Sequence, residues 1–306
     1  MSPARKPSRS ESIRPLSPAM EDYLKTIYAL EQEHGSVTTQ LLADWQGVTP
    51  ASVTNMLKRL SEQRLVHYTR YKGVELTESG RKVAVEMVRH HRLLELYLNQ
   101  ALGFSWDEVH AEAERLEHFI SEKLEERIDA ALGYPKMDPH GSPIPALDGT
   151  ITEQPGQALS QLDSSQRQVV LRVADEDAGV LRRFAEVGLW PGVTLEVLGR
   201  TPRSRKLRVG MRELELEESL CAGVYVQDAL RDCGVRLSAD QLPAGKAGQV
   251  FRLRAGGERL KRLRGLGLEH GRKLRGQGGS ERLSFTTEAG EVEISRDEAR
   301  CVLVEV

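Results

Sequence analysis

The sequence of 306 residues predicts an α+β protein built from several small domains rather than one core. Three observations carry that reading. The first third holds helical patterns followed by two short alternating strands. The middle holds two long apolar-periodic stretches studded with His and Glu. The last part repeats itself: "LRRFAEVGLWPGVTLEV" resembles "LKRLRGLGLEHGRKLRG" at an offset of about 79 residues, a spacing that suits two small β-rich domains in tandem.

Taken in order, "MSPARKPSRSESIRPLS" (1–17) is polar, basic and has no apolar signal core, which predicts a disordered arm and a cytoplasmic protein. Its Arg5, Lys6, Arg9 and Arg14 are either phosphate contacts or part of an inert tail. "LSPAMEDYLKTIYALEQEHG" has Met20, Leu24, Ile27 and Tyr28 at helical spacing and stops at Gly35. "SVTTQLLADWQGVTPASVTNMLKRLSEQRLV" reads as helix, turn at Gly47, helix, and "LVHYTRYKGVELTESG" as a basic hairpin around "RYKG". Helix-turn-helix followed by such a hairpin is a winged-helix pattern, placed over 18–82.

The next part, 83–148, predicts a helix ended by Gly103 and a second over 106–132 ended by Gly133. Both carry more apolar positions than a lone hairpin needs, so the pair offers a dimer surface. A Pro/Gly-rich loop, "YPKMDPHGSPIPALDG", follows. The repeats are placed over 165–230 and 240–306. No apolar run approaches the roughly 20 residues that a membrane helix needs. Cys221, Cys233 and Cys301 are singly spaced, which favours reduced thiols over a disulfide framework. A formal charge of −2 restricts any DNA-binding surface to a local patch.

The winged-helix part supplies that patch. Its second helix starts near Pro50, and Thr49, Ala51, Ser52 and Asn55 are small or polar enough to lie against base edges. Lys58 and Arg59 follow for the phosphates, and Arg70, Tyr71 and Lys72 sit at the hairpin tip. Winged helices also serve as protein-interaction modules, and that reading stays open here.

Metal chemistry is written in "VHAEAERLEHFISEKLEERI". On one helix, His110, Glu114, Glu117 and His118 fall within an arc of roughly 100° beside Leu116, Phe119, Ile120 and Leu124, expected to face the core. "RHHRLLE" adds His91 and Glu95 at i, i+4, and "MDPHG" adds Asp138 and His140; His90 points elsewhere. No thiolate or thioether is obviously placed at the cluster, so its oxygen and nitrogen donors suit Mn(II) or Fe(II), with Zn(II) able to compete. The competing reading is a solvated ladder of charges. An enzyme is not expected, because there is no H-E-x-x-H, no paired E-x-x-H and no nucleophile constellation.

In order, "MEDYLKTIYAL", "VTPASVTNMLKRL", "YKGVELTESGRKVA", "RHHRLLE", "VHAEAERLEH" and "DPHGSPIP" resemble the diphtheria toxin repressor/manganese transport regulator family of metal-dependent repressors over 18–145. The C-terminal repeats resemble SH3-like, FeoA-type domains, of which many members have one. The resemblance implies a homodimer whose metal binding licenses binding to a palindromic operator in double-stranded DNA, controlling metal uptake genes. It implies a primary site of Asp22, Glu114, Glu117 and His118, similar to the manganese type because iron-type members carry Met and Cys where Asp22 and Glu114 stand. Lys25 replaces a carboxylate found in some short manganese members, which speaks against their two-metal arrangement. An ancillary site maps onto His91, Glu95 and His110, or in a variant onto the loop residues Asp138 and His140. Mn(II) is the expected cofactor and Fe(II) the alternative, with Zn(II), Co(II) or Cd(II) as substitutes in vitro. The rival from another class is a metal-independent regulator acting through its SH3-like domains.

Overall fold

The computed structural model describes residues 16–69, 72–152, 156–162, 166–230, 234–255 and 257–306. Arg5, Lys6, Arg9 and Arg14 of the arm, Arg70 and Tyr71 of the hairpin, and Cys233 lie outside the described residues. The chain divides into two compact units, Met1–Met87 and Val88–Val306.

In the first unit, α1 (Pro18–His34), α2 (Thr39–Gln46) and α3 (Pro50–Glu62) precede β1 (Val66–Thr69) and β2 (Gly73–Leu76). Local chemistry sets the helix starts. Thr38 accepts from the Leu41 amide and Thr49 from the Ser52 amide, and proline occupies the first turn of α1 and α3. Met20, Leu24, Ile27, Leu42, Val53, Leu57, Leu60 and Val74 share one core. The hairpin is antiparallel, with Val66 opposite Leu76 and Thr69 opposite Gly73. Gly73 is required there: its φ is +106°, and a Cβ would stand 2.6 Å from the Val37 carbonyl oxygen.

Helix α4 (Glu78–Tyr97) leads into a π-turn, Leu98–Leu102, closed by left-handed Gly103. The single helix expected over 106–132 is instead two, α5 (Val109–Leu116) and α6 (Glu122–Ala131). Ser121 adopts extended angles and its side chain accepts from the Leu124 amide, so a new helix starts where the old one would have continued. The expected core stripe changes with it. Leu116, Phe119 and Leu124 are 40%, 77% and 48% exposed, whereas Val109, Ala113 and Ile128 pack on Leu93 and Leu94 of α4.

Two six-stranded antiparallel sheets follow. The first uses β3 (Gln157–Ala158), β4 (Gln168–Val173), β5 (Thr194–Arg200), β6 (Ser204–Val209), β7 (Arg212–Glu217) and β8 (Val224–Asp228), in the order β3-β8-β4-β5-β6-β7. It carries α7 (Ala178–Val187) and the short α8 (Glu218–Cys221). The second uses β9 (Arg236–Ser238), β10 (Ala247–Leu253), β11 (Lys273–Gly278), β12 (Arg282–Thr287), β13 (Gly290–Ser295) and β14 (Val302–Glu305), with α9 (Gly257–Gly265) and α10 (Arg296–Arg300). Its order, β9-β14-β10-β11-β12-β13, reproduces the first, and each element starts 78 or 79 residues after its counterpart. The repeat seen in the sequence is therefore one of topology. The copies share apolar contacts: Leu303 of β14 lies in the first copy's core with Leu181, Phe184 and Trp190. Among the described residues no helix is long and apolar enough to cross a membrane.

Candidate metal centre

Several elements of the second unit converge. Helix α4 presents His91 and Glu95 one turn apart, and α5 presents His110 and Glu114 likewise. The break between α5 and α6 carries Glu117 and His118, the loop before the first sheet carries Asp138 and His140, and the link from β4 to α7 carries Asp175.

His91 stands in the middle. Its Nδ1 lies 2.5 Å from Glu117 Oε2, and its Nε2 lies 3.0 Å from Glu95 Oε1 and 3.1 Å from His110 Nδ1. Glu114, half-exposed, approaches His91 Nδ1 at 3.9 Å and His110 Nε2 at 4.0 Å. His91, His110 and Glu114 thus offer ligand atoms within 4.8 Å of one another. Glu117 is buried, with Oε1 3.7 Å from His118 Nε2. Asp22 is half-buried on α1, in the first unit. His90, which the sequence sets apart, is buried too: its Nδ1 lies 3.1 Å from the Glu117 carbonyl oxygen and its Nε2 3.3 Å from Glu125 Oε2, so it fixes the helix break.

A second set joins Glu95, Asp138, His140 and Asp175, again within 4.8 Å. His140 Nδ1 is 3.7 Å from Glu95 Oε2 and 3.6 Å from Asp175 Oδ2. Its Nε2 lies 2.9 Å from the Trp106 carbonyl oxygen, which can only accept, so Nε2 carries a proton and Nδ1 is the ring atom turned toward Glu95 and Asp175. Asp138 Oδ1 accepts from the His140 and Ser142 amides at 2.8 and 2.9 Å, leaving Oδ2 for the site.

The electrostatics favour a cation. Burial works to raise the Glu95 pKa, but the charges of His91 and His140, helped by a hydrogen bond from His110, hold it well below the usual range. Burial works to lower that of His140, but Glu95, Asp175 and Asp138 push it up to about 9. Burial and the neighbouring Glu95 raise Asp138 to about 7, against His140 and Arg92. The carboxylates therefore crowd one another and depend on borrowed positive charge. Glu95 Oε2, Asp138 Oδ2 and His140 Nδ1 are buried without a hydrogen-bond partner among the described residues. Buried polar atoms are rarely left so, and a divalent ion coordinated by these oxygen and nitrogen donors would satisfy all three; the residues fit such an ion.

Asp175 was not singled out in the sequence. It belongs to "ADEDA", where Asp177 caps α7 by accepting from the Gly179 and Val180 amides, so the run reads locally as a helix start. The extra acids ahead of that cap were the available signal.

In the first unit, Thr49, Ala51, Ser52, Asn55, Lys58 and Arg59 are all exposed on α3 and its cap, opposite the buried Val53, Leu57 and Leu60. Thr49 Oγ1 also lies 3.0 Å from Ser52 Oγ, which fixes both hydroxyls at the start of the helix. Lys72 is exposed beside β2.

Family models match in chain order. An iron dependent repressor N-terminal DNA binding domain covers residues 15–74, and an iron dependent repressor metal binding and dimerisation domain covers 77–146. A FeoA domain covers 157–228. The iron-dependent repressor IdeR of Mycobacterium tuberculosis is 33% identical over 189 residues, 58% of this chain and 82% of the relative. A solved manganese-dependent transcriptional repressor in complex with manganese aligns at TM-score 0.65 and 37% identity, over 69% of this chain and 100% of its own. The repressor ScaR with bound Zn2+ aligns at 0.61 and 33%, over 69% and 99%. A DNA-binding domain, a metal-binding dimerisation domain and a FeoA domain in this order, with donors converging in the second, identify a metal-responsive DNA-binding transcriptional repressor: the chain belongs to the iron-dependent repressor family.

Proposed function

We propose that this repressor responds to Mn(II), holds two ions per chain and controls metal uptake genes. The observation that carries the reading is the buried, thiol-free set of Glu95, Asp138, His140 and Asp175 with three unpartnered ligand atoms. Carboxylate oxygens with one imidazole suit Mn(II) and Fe(II), and the absence of Cys and Met from both sets favours Mn(II). The manganese complex of the similar solved repressor supports the same choice, while the IdeR relative keeps Fe(II) as the alternative.

The motif pattern assigns the other ion to Glu114, Glu117 and His118 with Asp22 of the first helix. His91 and His110 lie between the two sets and serve either. When bound, a divalent ion supplies the positive charge that the crowded carboxylates lack. Glu95, Asp138 and Asp175 then hold the loop, α4 and the first sheet together, and Asp22 joins α1 to the helix break. A conformation with these groups gathered is the one in which two recognition helices of a dimer match palindromic half-sites, roughly 34–36 Å apart. Metal binds that conformation more tightly and so selects it. Thr49, Ala51, Ser52 and Asn55 read base edges, while Lys58, Arg59 and Lys72, with Arg70 and Tyr71, meet the backbone.

The test is operator-type duplex binding under titration with Mn(II), anaerobic Fe(II) and Zn(II). Glu117→Ala is expected to abolish metal-dependent binding without unfolding the protein; unchanged metal-dependent binding sinks the first site. Asp22→Met with Glu114→Cys is expected to move the response from Mn(II) toward Fe(II), and an unmoved preference refutes the argument from donor hardness.

A further inference from the structure

The second sheet reaches the metal loop with a base, the first with an acid, from neighbouring positions just past corresponding strands. The strand register pairs Val173 with Val224 and Leu253 with Val302, and the Ala174 amide donates to the Gly223 carbonyl as the Arg254 amide does to that of Cys301, so Arg254 stands where the first copy has Ala174, the residue before Asp175. Both side chains reach one loop. Asp175 Oδ2 lies 3.6 Å from His140 Nδ1, and Arg254 Nη2 donates to the Pro139 carbonyl oxygen at 3.1 Å.

Pro139 separates the two loop ligands, Asp138 and His140. It has no N–H, so its carbonyl is the only backbone handle on that residue. Two donors hold it: Arg254, and Trp106 Nε1 at 3.2 Å. Arg254 is itself fixed. Its guanidinium carbon stands 4.5 Å from the Trp190 ring centre and 5.9 Å from that of Trp106, and its amide donates to the Cys301 carbonyl at 2.7 Å. Trp106 in turn holds His140 through its own carbonyl. On the opposite side, the Val173 amide donates to the His140 carbonyl at 3.0 Å.

We infer that Arg254 is a positioning residue for the second ion: by gripping the Pro139 carbonyl it presets Asp138 and His140, and the duplicated domain acts as a brace on the metal loop. The inference rests on the second-ion reading above. It predicts a loss of affinity when the guanidinium goes; a cation acting through its charge alone would predict a gain. The contact that ties Arg254 to the loop is its hydrogen bond to the Pro139 carbonyl, and the brace acts through that bond.

Calorimetric titration of the full-length dimer with Mn(II) separates the two ions. Asp175→Asn should remove the second phase. Arg254→Met should weaken that phase by about 10- to 100-fold, the usual cost of losing an outer-shell partner, and leave the first phase alone. Arg254→Lys, which keeps a donor and a charge over the tryptophans, should recover most of it. A second phase unchanged or tighter in Arg254→Met, with Asp175→Asn still removing it, overturns the brace and spares the second ion. Two intact phases in Asp175→Asn overturn both. Equal loss of both phases in Arg254→Met and Arg254→Lys, with a lower metal-free melting temperature, shows a merely structural arginine and also overturns the brace.

Discussion

His91 is shared between two carboxylates that belong to different candidate sites. With Glu117 at Nδ1 and Glu95 at Nε2, one imidazole faces two buried acids. Removing one member of a buried charged group leaves the others uncompensated, at about 3–5 kcal/mol. His91→Ala is therefore expected to destabilise the metal-free protein by about that amount and, because a donor that serves either ion is lost, to reduce the stabilisation gained on adding Mn(II). Urea unfolding with and without the ion measures both, and an unmoved metal-free midpoint means that His91 does not hold Glu95 and Glu117. At this scale the sequence was informative about residue types and weaker about partners. Glu114, Glu117 and His118 announce themselves by helical spacing, and Asp138 and His140 by a stiff loop. Asp175 is brought to His140 by sheet packing, and spacing along the chain carries no signal for that. Arg254 reaches the same loop from a still more distant segment.

At the scale of elements, the break between α5 and α6 matters most. The apolar period runs unbroken through Leu116, Ile120 and Leu124, so periodicity alone predicts one helix. Ser121 followed by Glu122 and Glu125 is a helix-start signature, and it was legible as such. The break places Glu117 and His118 at a helix end, where side chains are not bound to one face, and it turns Phe119 outward to 77% exposure. A phenylalanine that open, flanked by exposed Leu116 and Leu124 within the domain matched as metal-binding and dimerising, is expected to contact a second copy. Phe119→Asp is expected to shift the protein from dimer to monomer in sedimentation equilibrium at micromolar concentration. A variant that stays dimeric locates the dimer surface elsewhere. The winged-helix elements needed no such correction, because Thr38, Thr49, Gly35 and Gly47 mark their ends chemically.

At the scale of the whole chain, the sequence shows a duplication and the structure shows what it does to residues 88–306. Two copies of one topology need not share a core, and a repeat read from sequence says nothing about whether they do. Here Leu303 of β14 is buried in the first copy's core, Phe251 of β10 packs against the same cluster, and the Arg236 amide donates to Thr194 Oγ1 at 2.9 Å. The copies should therefore open together rather than as separate units. Leu303→Ala removes, from a strand of the second copy, side-chain volume buried in the first copy's core, with an expected cost of about 2–5 kcal/mol. Native-state hydrogen exchange reads where that cost falls. Protection of the Val170 and Leu195 amides in the first sheet is expected to drop together with that of Val250 in the second. A loss confined to one sheet means the copies are thermodynamically separate, and a brace acting through Arg254 then has to be carried by its local contacts alone.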